Sequence, residues 1–224
     1  MTARTSMSEN TENRIRSAIE NSLQGLAFWM GYRNTTCHEY VFTEYSLVEE
    51  FSSLLKSLLG KEYTIKREEK YSKPFTEIKK GDRMDLFITD KKGNNHAVIE
   101  AKRWRVKNKT TKEGDEERQY ISEREIKKDI IRLARLKRNN DIPCFFILIS
   151  EKAKPTEYVG KNGNAVKKEF KIEGYDDLEY SVIRVLKASA SFKEKENAYY
   201  CCLFEIFKKA GGRRRSNNEI HLKP

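Results

Sequence analysis

Arg83-Met84-Asp85-Leu86-Phe87-Ile88, followed after a polar turn by Val98-Ile99-Glu100-Ala101-Lys102, is the stretch on which the reading of the fold depends. It reads as two apolar strands joined by a tight hairpin and interrupted by Asp85, Glu100 and Lys102. A carboxylate within a buried strand is costly unless it is paired or bound to a metal. Glu100 and Lys102 are two positions apart and therefore share a strand face. The turn falls within Asp90-Lys91-Lys92-Gly93-Asn94-Asn95. A two-residue loop at Lys92-Gly93 sets Asp85 opposite Glu100, and one at Gly93-Asn94 sets it opposite Lys102. Either register gathers the three side chains on one face, because directly opposed residues share a face. A plain three-residue loop sends Asp85 to the other face unless a β-bulge corrects it.

This Asp…Glu-x-Lys hairpin resembles the PD-(D/E)XK nuclease superfamily, the fold of many restriction endonucleases. Met84 stands where the family name records Pro, a position that is loose in the superfamily. The resemblance spans roughly residues 40–150 and implies an α/β protein, a restriction endonuclease-like α/β/α sandwich with a mixed central β-sheet. It further implies a Mg²⁺-dependent DNA endonuclease, with Mn²⁺ as a substitute. Asp85 and Glu100 would be metal ligands, joined by the carbonyl of Ala101. Such hard cations take carboxylate oxygens and keep several waters. Lys102 would orient the attacking water or stabilise developing charge. Glu44, on a preceding helix, matches the acidic residue that many members aim at the metal. Its other explanation is a first-turn carboxylate favoured by the helix dipole. The bland alternative for the hairpin is a half-exposed Glu–Lys surface pair, worth little energetically.

Composition narrows the partners. The chain has 224 residues, 45 Lys and Arg against 34 Asp and Glu, a net charge of +11 and a pI near 9.4. That surplus favours a polyanion, nucleic acid before an acidic membrane surface. DNA, double-stranded first and RNA second, is the expected partner. No apolar run approaches a membrane span, and the first twenty residues are too polar for a signal peptide. Cys37, Cys144, Cys201 and Cys202 lack metal-ligand spacing, and with three histidines a His-rich zinc site is disfavoured. A reduced, cytoplasmic protein is the simplest account. No P-loop is present, which argues against an ATP-driven helicase.

Residues 1–12 are polar and expected to be disordered, with a single nuclease-like domain over 13–210, its core at about 40–150 and a C-terminal elaboration at 151–210, then a basic tail at 211–224. A first helix is expected from Glu12 to Met30, with Ile15, Ile19, Leu23, Leu26 and Met30 as its stripe and Gly31 as its stop. Phe28 and Trp29 are read as core or dimer contacts. Thr43 and Gly60 bracket a second helix whose apolar face is Leu47, Val48, Phe51, Leu54, Leu55, Leu58 and Leu59, with Glu44 projecting onto that face. Residues 62–71 are expected as an edge strand ended by Ser72-Lys73-Pro74.

Beyond Lys102, Arg103, Arg105, Lys107 and Lys109 are candidate phosphate contacts. Trp104 offers a ring to stack or wedge, a packed indole being the favoured reading. A loop is expected to about Gln119, then a helix from Tyr120 to Arg138, then a buried strand, Ile142 to Ser150. Later segments 180–186 and 198–207 read as strands, with an Asn162-Gly163 turn before them. Arg213-Arg214-Arg215 could track a phosphate backbone or merely solubilise the tail. One site per chain cuts one strand per visit, so a homodimer is expected for duplex cleavage. Rival classes are a catalytically silent nucleic-acid-binding module of the same fold and a basic protein that docks on acidic surfaces.

Overall fold

Amphipathic patterning builds this protein around one large sheet. The computed structural model describes residues 9–36, 42–71, 74–75, 81–104, 106–110, 116–120, 123–151, 165–166, 168–192 and 195–209. The helices are α1 (Glu9–Thr36), α2 (Glu44–Leu59) and α3 (Glu123–Asn140). The strands are β1 (Tyr63–Lys70), β2 (Arg83–Asp90), β3 (Asn95–Trp104), β4 (Val106–Thr110), β5 (Glu116–Tyr120), β6 (Cys144–Glu151), β7 (Glu169–Ile172), β8 (Tyr175–Phe192) and β9 (Lys195–Lys208).

Seven strands run in the order β1-β2-β3-β6-β9-β8-β7, and β4 with β5 forms a separate two-stranded sheet. The large sheet is mixed. β3 and β6 are parallel and every other neighbouring pair is antiparallel. A parallel neighbour requires a crossover, and α3 lies in the connection. The molecule is thus a mixed α/β protein with three helices among the described residues.

Strand alternation sorts the core into two layers. Ile65, Leu86, Ile88, Ile99, Phe145, Ile147 and Leu203 pack against α1 and α2. Phe87, Val98, Phe146, Leu148 and Phe204 pack against Ile126, Ile130 and Leu133 of α3. Adjacent Cys201 and Cys202 fall on opposite faces, as a strand requires. Both are free and buried, as is Cys144. Burying this much apolar area on both faces, at roughly 25 cal/mol per Å², is what holds the layers together.

Local signals explain the helices. Thr43 caps α2 reciprocally with Ser46, each backbone N–H donating to the other's hydroxyl at 3.0 Å. The expected α1 stripe, Ile15 to Met30, is buried throughout. Gly25 of α1 sits where an added Cβ would lie 3.0 Å from Leu54, which lets α1 and α2 approach closely.

Several expectations are corrected. α1 begins at Glu9, so residues 9–12 are helical. It also passes through Gly31, and the Thr35 and Thr36 hydroxyls bond the carbonyls of Gly31 and Tyr32 in the last turn. Phe28 is 78% exposed, which leaves the dimer contact rather than the core contact as its reading, and Leu58 is exposed and so leaves the apolar face assigned to it. The expected loop to Gln119 contains the β4–β5 pair, and α3 starts at Glu123 because Tyr120 ends β5. The late strands extend the sheet beyond β6. The Asn162-Gly163 turn and the 211–224 tail lie outside the described residues. No described helix is long and apolar enough to cross a membrane.

Candidate active site

The hairpin that carries the site has a three-residue loop. Asp90 N–H donates to Asn94 O at 3.1 Å, leaving Lys91, Lys92 and Gly93 as the loop. Gly93 has φ +83°, a left-handed conformation that glycine adopts without penalty. Alone, this loop would put Asp85 on the wrong face. A bulge intervenes: Thr89 pairs with Asn95 but Ile88 pairs with Ala97, so His96 is the extra residue. Beyond it Leu86 pairs with Ile99, and one more step sets Asp85 opposite Glu100. Neither two-residue loop forms, yet the bulge restores one of the two expected registers.

The ladder between β2 and β3 stops at Leu86 and Ile99. Side chains take over where the partner strand is lost. Asp85 Oδ2 accepts the Ala101 N–H at 2.7 Å, and Glu44 Oε2 accepts the Arg103 N–H at 3.2 Å. A residue's N–H and C=O project to the same side of its strand. The Ala101 carbonyl therefore projects towards the edge flanked by Asp85 and Glu44.

Lys102 shares its face with Glu100. Its Nζ lies 3.1 Å from Glu44 Oε1 and 3.7 Å from Asp129 Oδ2. Glu100 is 3% exposed; Tyr71 donates its hydroxyl to Oε1, and Arg132 Nη1 lies 3.3 Å from the same oxygen. Arg132 also reaches Asp129 at 3.2 Å and Asp82 at 3.5 Å, with its guanidinium over the Tyr71 ring. Glu44, Asp85, Glu100 and Lys102, all named from the sequence, are thus gathered in one place.

The electrostatics are unbalanced. Five carboxylates (Glu44, Asp82, Asp85, Glu100 and Asp129) surround two cations, Lys102 and Arg132. Burial pushes the Asp85 carboxyl from its ordinary 3.8 up to about 6, with Glu44 adding to the rise. Burial, then the charges of Asp85 and Asp129, push Glu100 well above the carboxylate range. Burial opposes the Lys102 ammonium, but Glu44 and Asp129 outweigh it and raise its pKa. Two buried carboxyls that resist ionising side by side suit a divalent cation bound between them. The donor set, two carboxylates and a carbonyl, is all oxygen and fits Mg²⁺ in type. Among the described residues, no group of three or more His, Cys, Asp or Glu side chains could hold a metal ion. A metal bound here would draw on Asp85, Glu100 and the Ala101 carbonyl.

The remaining candidates divide. Arg103 is 4% exposed, so its guanidinium is not presented to a surface phosphate. Trp104 is partly buried against the α3-side core, in keeping with the packed reading. The side chains of Lys107 and Lys109, and all of Arg105, Arg213, Arg214 and Arg215, lie outside the described residues. The sequence assigns no site role to Tyr71, Asp129 or Arg132, and places the last two only beside the apolar stripe of α3. For Asp129 a signal exists: it falls three positions after Ile126, beside the apolar stripe of α3. Tyr71, beside a strand-ending Ser-Lys-Pro, carries no comparable signal.

Compared with protein-family models, curated proteins and solved structures, the chain finds no match.

Proposed function

We propose that this chain is a Mg²⁺-dependent DNA endonuclease with a restriction endonuclease-like core. The observation that carries the reading is the meeting of Asp85 and Glu100, from paired strands, with Lys102 on the same face. Glu44 anchors the lysine at 3.1 Å. Asp85, Glu100 and the Ala101 carbonyl would hold the ion, which when bound acidifies water and offsets charge on the phosphate. Lys102 supplies a positive group whose position is set from two sides, by Glu44 on α2 and Asp129 on α3. A preorganised ammonium of this kind orients an attacking water or meets the charge that develops on a phosphate oxygen. Tyr71 and Arg132 hold Glu100 in place, as outer partners commonly do for ligating carboxylates.

Restriction of foreign DNA or another defence role, a cytoplasmic setting and a homodimer belong to the same reading. The net charge of +11 supports a polyanionic substrate. Plasmid cleavage with Mg²⁺ tests the reading, comparing wild type with Asp85→Ala and Lys102→Ala. Discrete fragments lost in both variants establish a site-specific nuclease. Smearing or nicking lost in both keeps the nuclease without restriction specificity. Cleavage that survives both substitutions removes this site. Light scattering with and without DNA decides the dimer.

One observation favours the silent binding module as a second reading. Lys102 and Arg132 already satisfy several of the carboxylates as a structural polar network would. Mn²⁺ binding lost in Asp85→Ala would separate the two, since the silent module needs no metal.

A further inference from the structure

A cavity of about 280 Å³ adjoins the site and is lined by Glu44, Tyr45, Val48, Arg67, Glu68 and Asp85. The β1 pairing is interrupted beside it. Arg67 pairs with Leu86 and Glu69 with Met84, but Glu68 between them, with φ +52°, has no partner opposite Asp85. A non-glycine residue in this conformation is costly and persists only when its surroundings enforce it. The Glu68 carbonyl is held by Arg83 Nη1 at 2.8 Å. Glu68 and Asp85 both line the cavity.

The mouth of the cavity carries an aromatic ring. Tyr45 is 62% exposed. Arg67 fixes it, lying 5.3 Å from the ring centroid and donating to the hydroxyl at 3.2 Å. Arg67 is itself tied to Glu49 at 3.1 Å, so its charge is already spent on protein partners. Glu44, Glu68 and Asp85 leave the lining acidic. Away from an ion on Asp85, a phosphate is repelled by such a lining, whereas a neutral heteroaromatic ring is not. An exposed, rigidly held tyrosine is the usual platform on which unpaired bases stack.

Building on the nuclease reading, we infer that Tyr45, steadied by Arg67, is a stacking platform for one unpaired base next to the scissile phosphate. Asp85 borders both the platform and the proposed reaction centre, so the stacked base belongs to the nucleotide adjoining the cut. The preferred substrate then carries an unpaired nucleotide at that point: a single strand, an overhang or a splayed junction.

The test uses the full-length protein with fluorescein-labelled single-stranded, overhang-bearing and fully paired oligonucleotides. Binding is measured with Ca²⁺ in place of Mg²⁺, and cleavage with Mg²⁺. Tyr45→Ala is expected to weaken binding of the unpaired substrates about tenfold or more, the range of one lost stacking contact. Tyr45→Trp should restore it. In the same titration, 2-aminopurine placed beside the cut should be quenched by wild type and not by Tyr45→Ala. Unchanged binding and quenching in Tyr45→Ala, with Asp85→Ala still inactive, would overturn the platform and leave the nuclease standing. A Tyr45→Trp variant as weak as Tyr45→Ala, with an unaltered melting temperature, would also overturn it. A wild type that neither binds nor cuts any of the substrates would remove both ideas together.

Discussion

Asp85 Oδ2 accepts the backbone N–H of Ala101 at 2.7 Å, in the position where a neighbouring strand's carbonyl would stand if the β2–β3 ladder continued. The site is therefore the place where the sheet opens. Carboxylates replace the lost backbone partners, and the same carboxylates become available for chemistry.

The pH dependence of stability follows from Asp85. Its carboxyl is raised from 3.8 to about 6, chiefly by burial. A raised carboxyl means the folded state holds its proton more tightly than the unfolded state. That contribution is fully present below pH 3.8 and is lost as pH rises through about 6. Without divalent ions, Asp85→Asn should therefore gain stability over wild type between pH 4 and 7, by up to roughly 3 kcal/mol at one unit per 1.36 kcal/mol. Thermal melts across this range check it. Adding Mg²⁺ should narrow the gap, because an ion stabilises only the ionised form.

Glu44→Gln should leave the fold intact and lower cleavage by about 10- to 100-fold, the range seen when an outer partner is lost. Glu44 sits in the first turn of α2, where losing its charge costs the helix only about 0.3–1 kcal/mol, while its carboxylate holds Lys102 at 3.1 Å. Steady-state kinetics should show the loss in kcat rather than KM. An unchanged kcat would mean that Lys102 is positioned by Asp129 alone.

Arg132→Ala should destabilise the protein by roughly 2–3 kcal/mol, because Glu100 and the 7%-exposed Asp129 would lose a shared cation. Tyr71→Phe removes one hydroxyl donor to Glu100 and should cost about 1–2 kcal/mol. Urea titrations order the two. A Tyr71→Phe loss as large as that of Arg132→Ala would make the hydroxyl the main support of Glu100.

Deleting His96 should keep Asp85 opposite Glu100 and leave cleavage in place, because removing the extra residue turns the bulge into a regular ladder with the same pairs. Gly93→Ala tests the turn itself. Nothing lies within 4 Å of the added Cβ, so its cost is the φ of +83° alone, about 1 kcal/mol. Chemical denaturation of Gly93→Ala beside plasmid cleavage by the His96 deletion separates turn strain from register.

Much of the architecture was legible in the chain because it rests on local pattern. The α1 stripe, the Thr43 cap, the apolar strand from Cys144 and the polar interruptions at Asp85, Glu100 and Lys102 all follow from spacing and side-chain chemistry. The strand at 62–71 was legible too, as a run ended by Ser-Lys-Pro, and it is the sheet edge. Leu58 was misplaced because a helical period locates a stripe only to within about one residue, and neighbouring elements decide its margin.

By itself the sequence determined which residue types could meet on the β2–β3 hairpin, since a strand's period of two puts Glu100 and Lys102 on one face whatever surrounds them. Only the tertiary structure decided that they do meet Asp85. The register depends on the sum of a three-residue loop and a bulge at His96, and an error of one residue in either inverts a face. The same holds for Tyr71, Asp129 and Arg132. Their contacts with Glu100 and Lys102 come from the docking of α3 and the exit of β1, which long-range packing sets and no local period encodes.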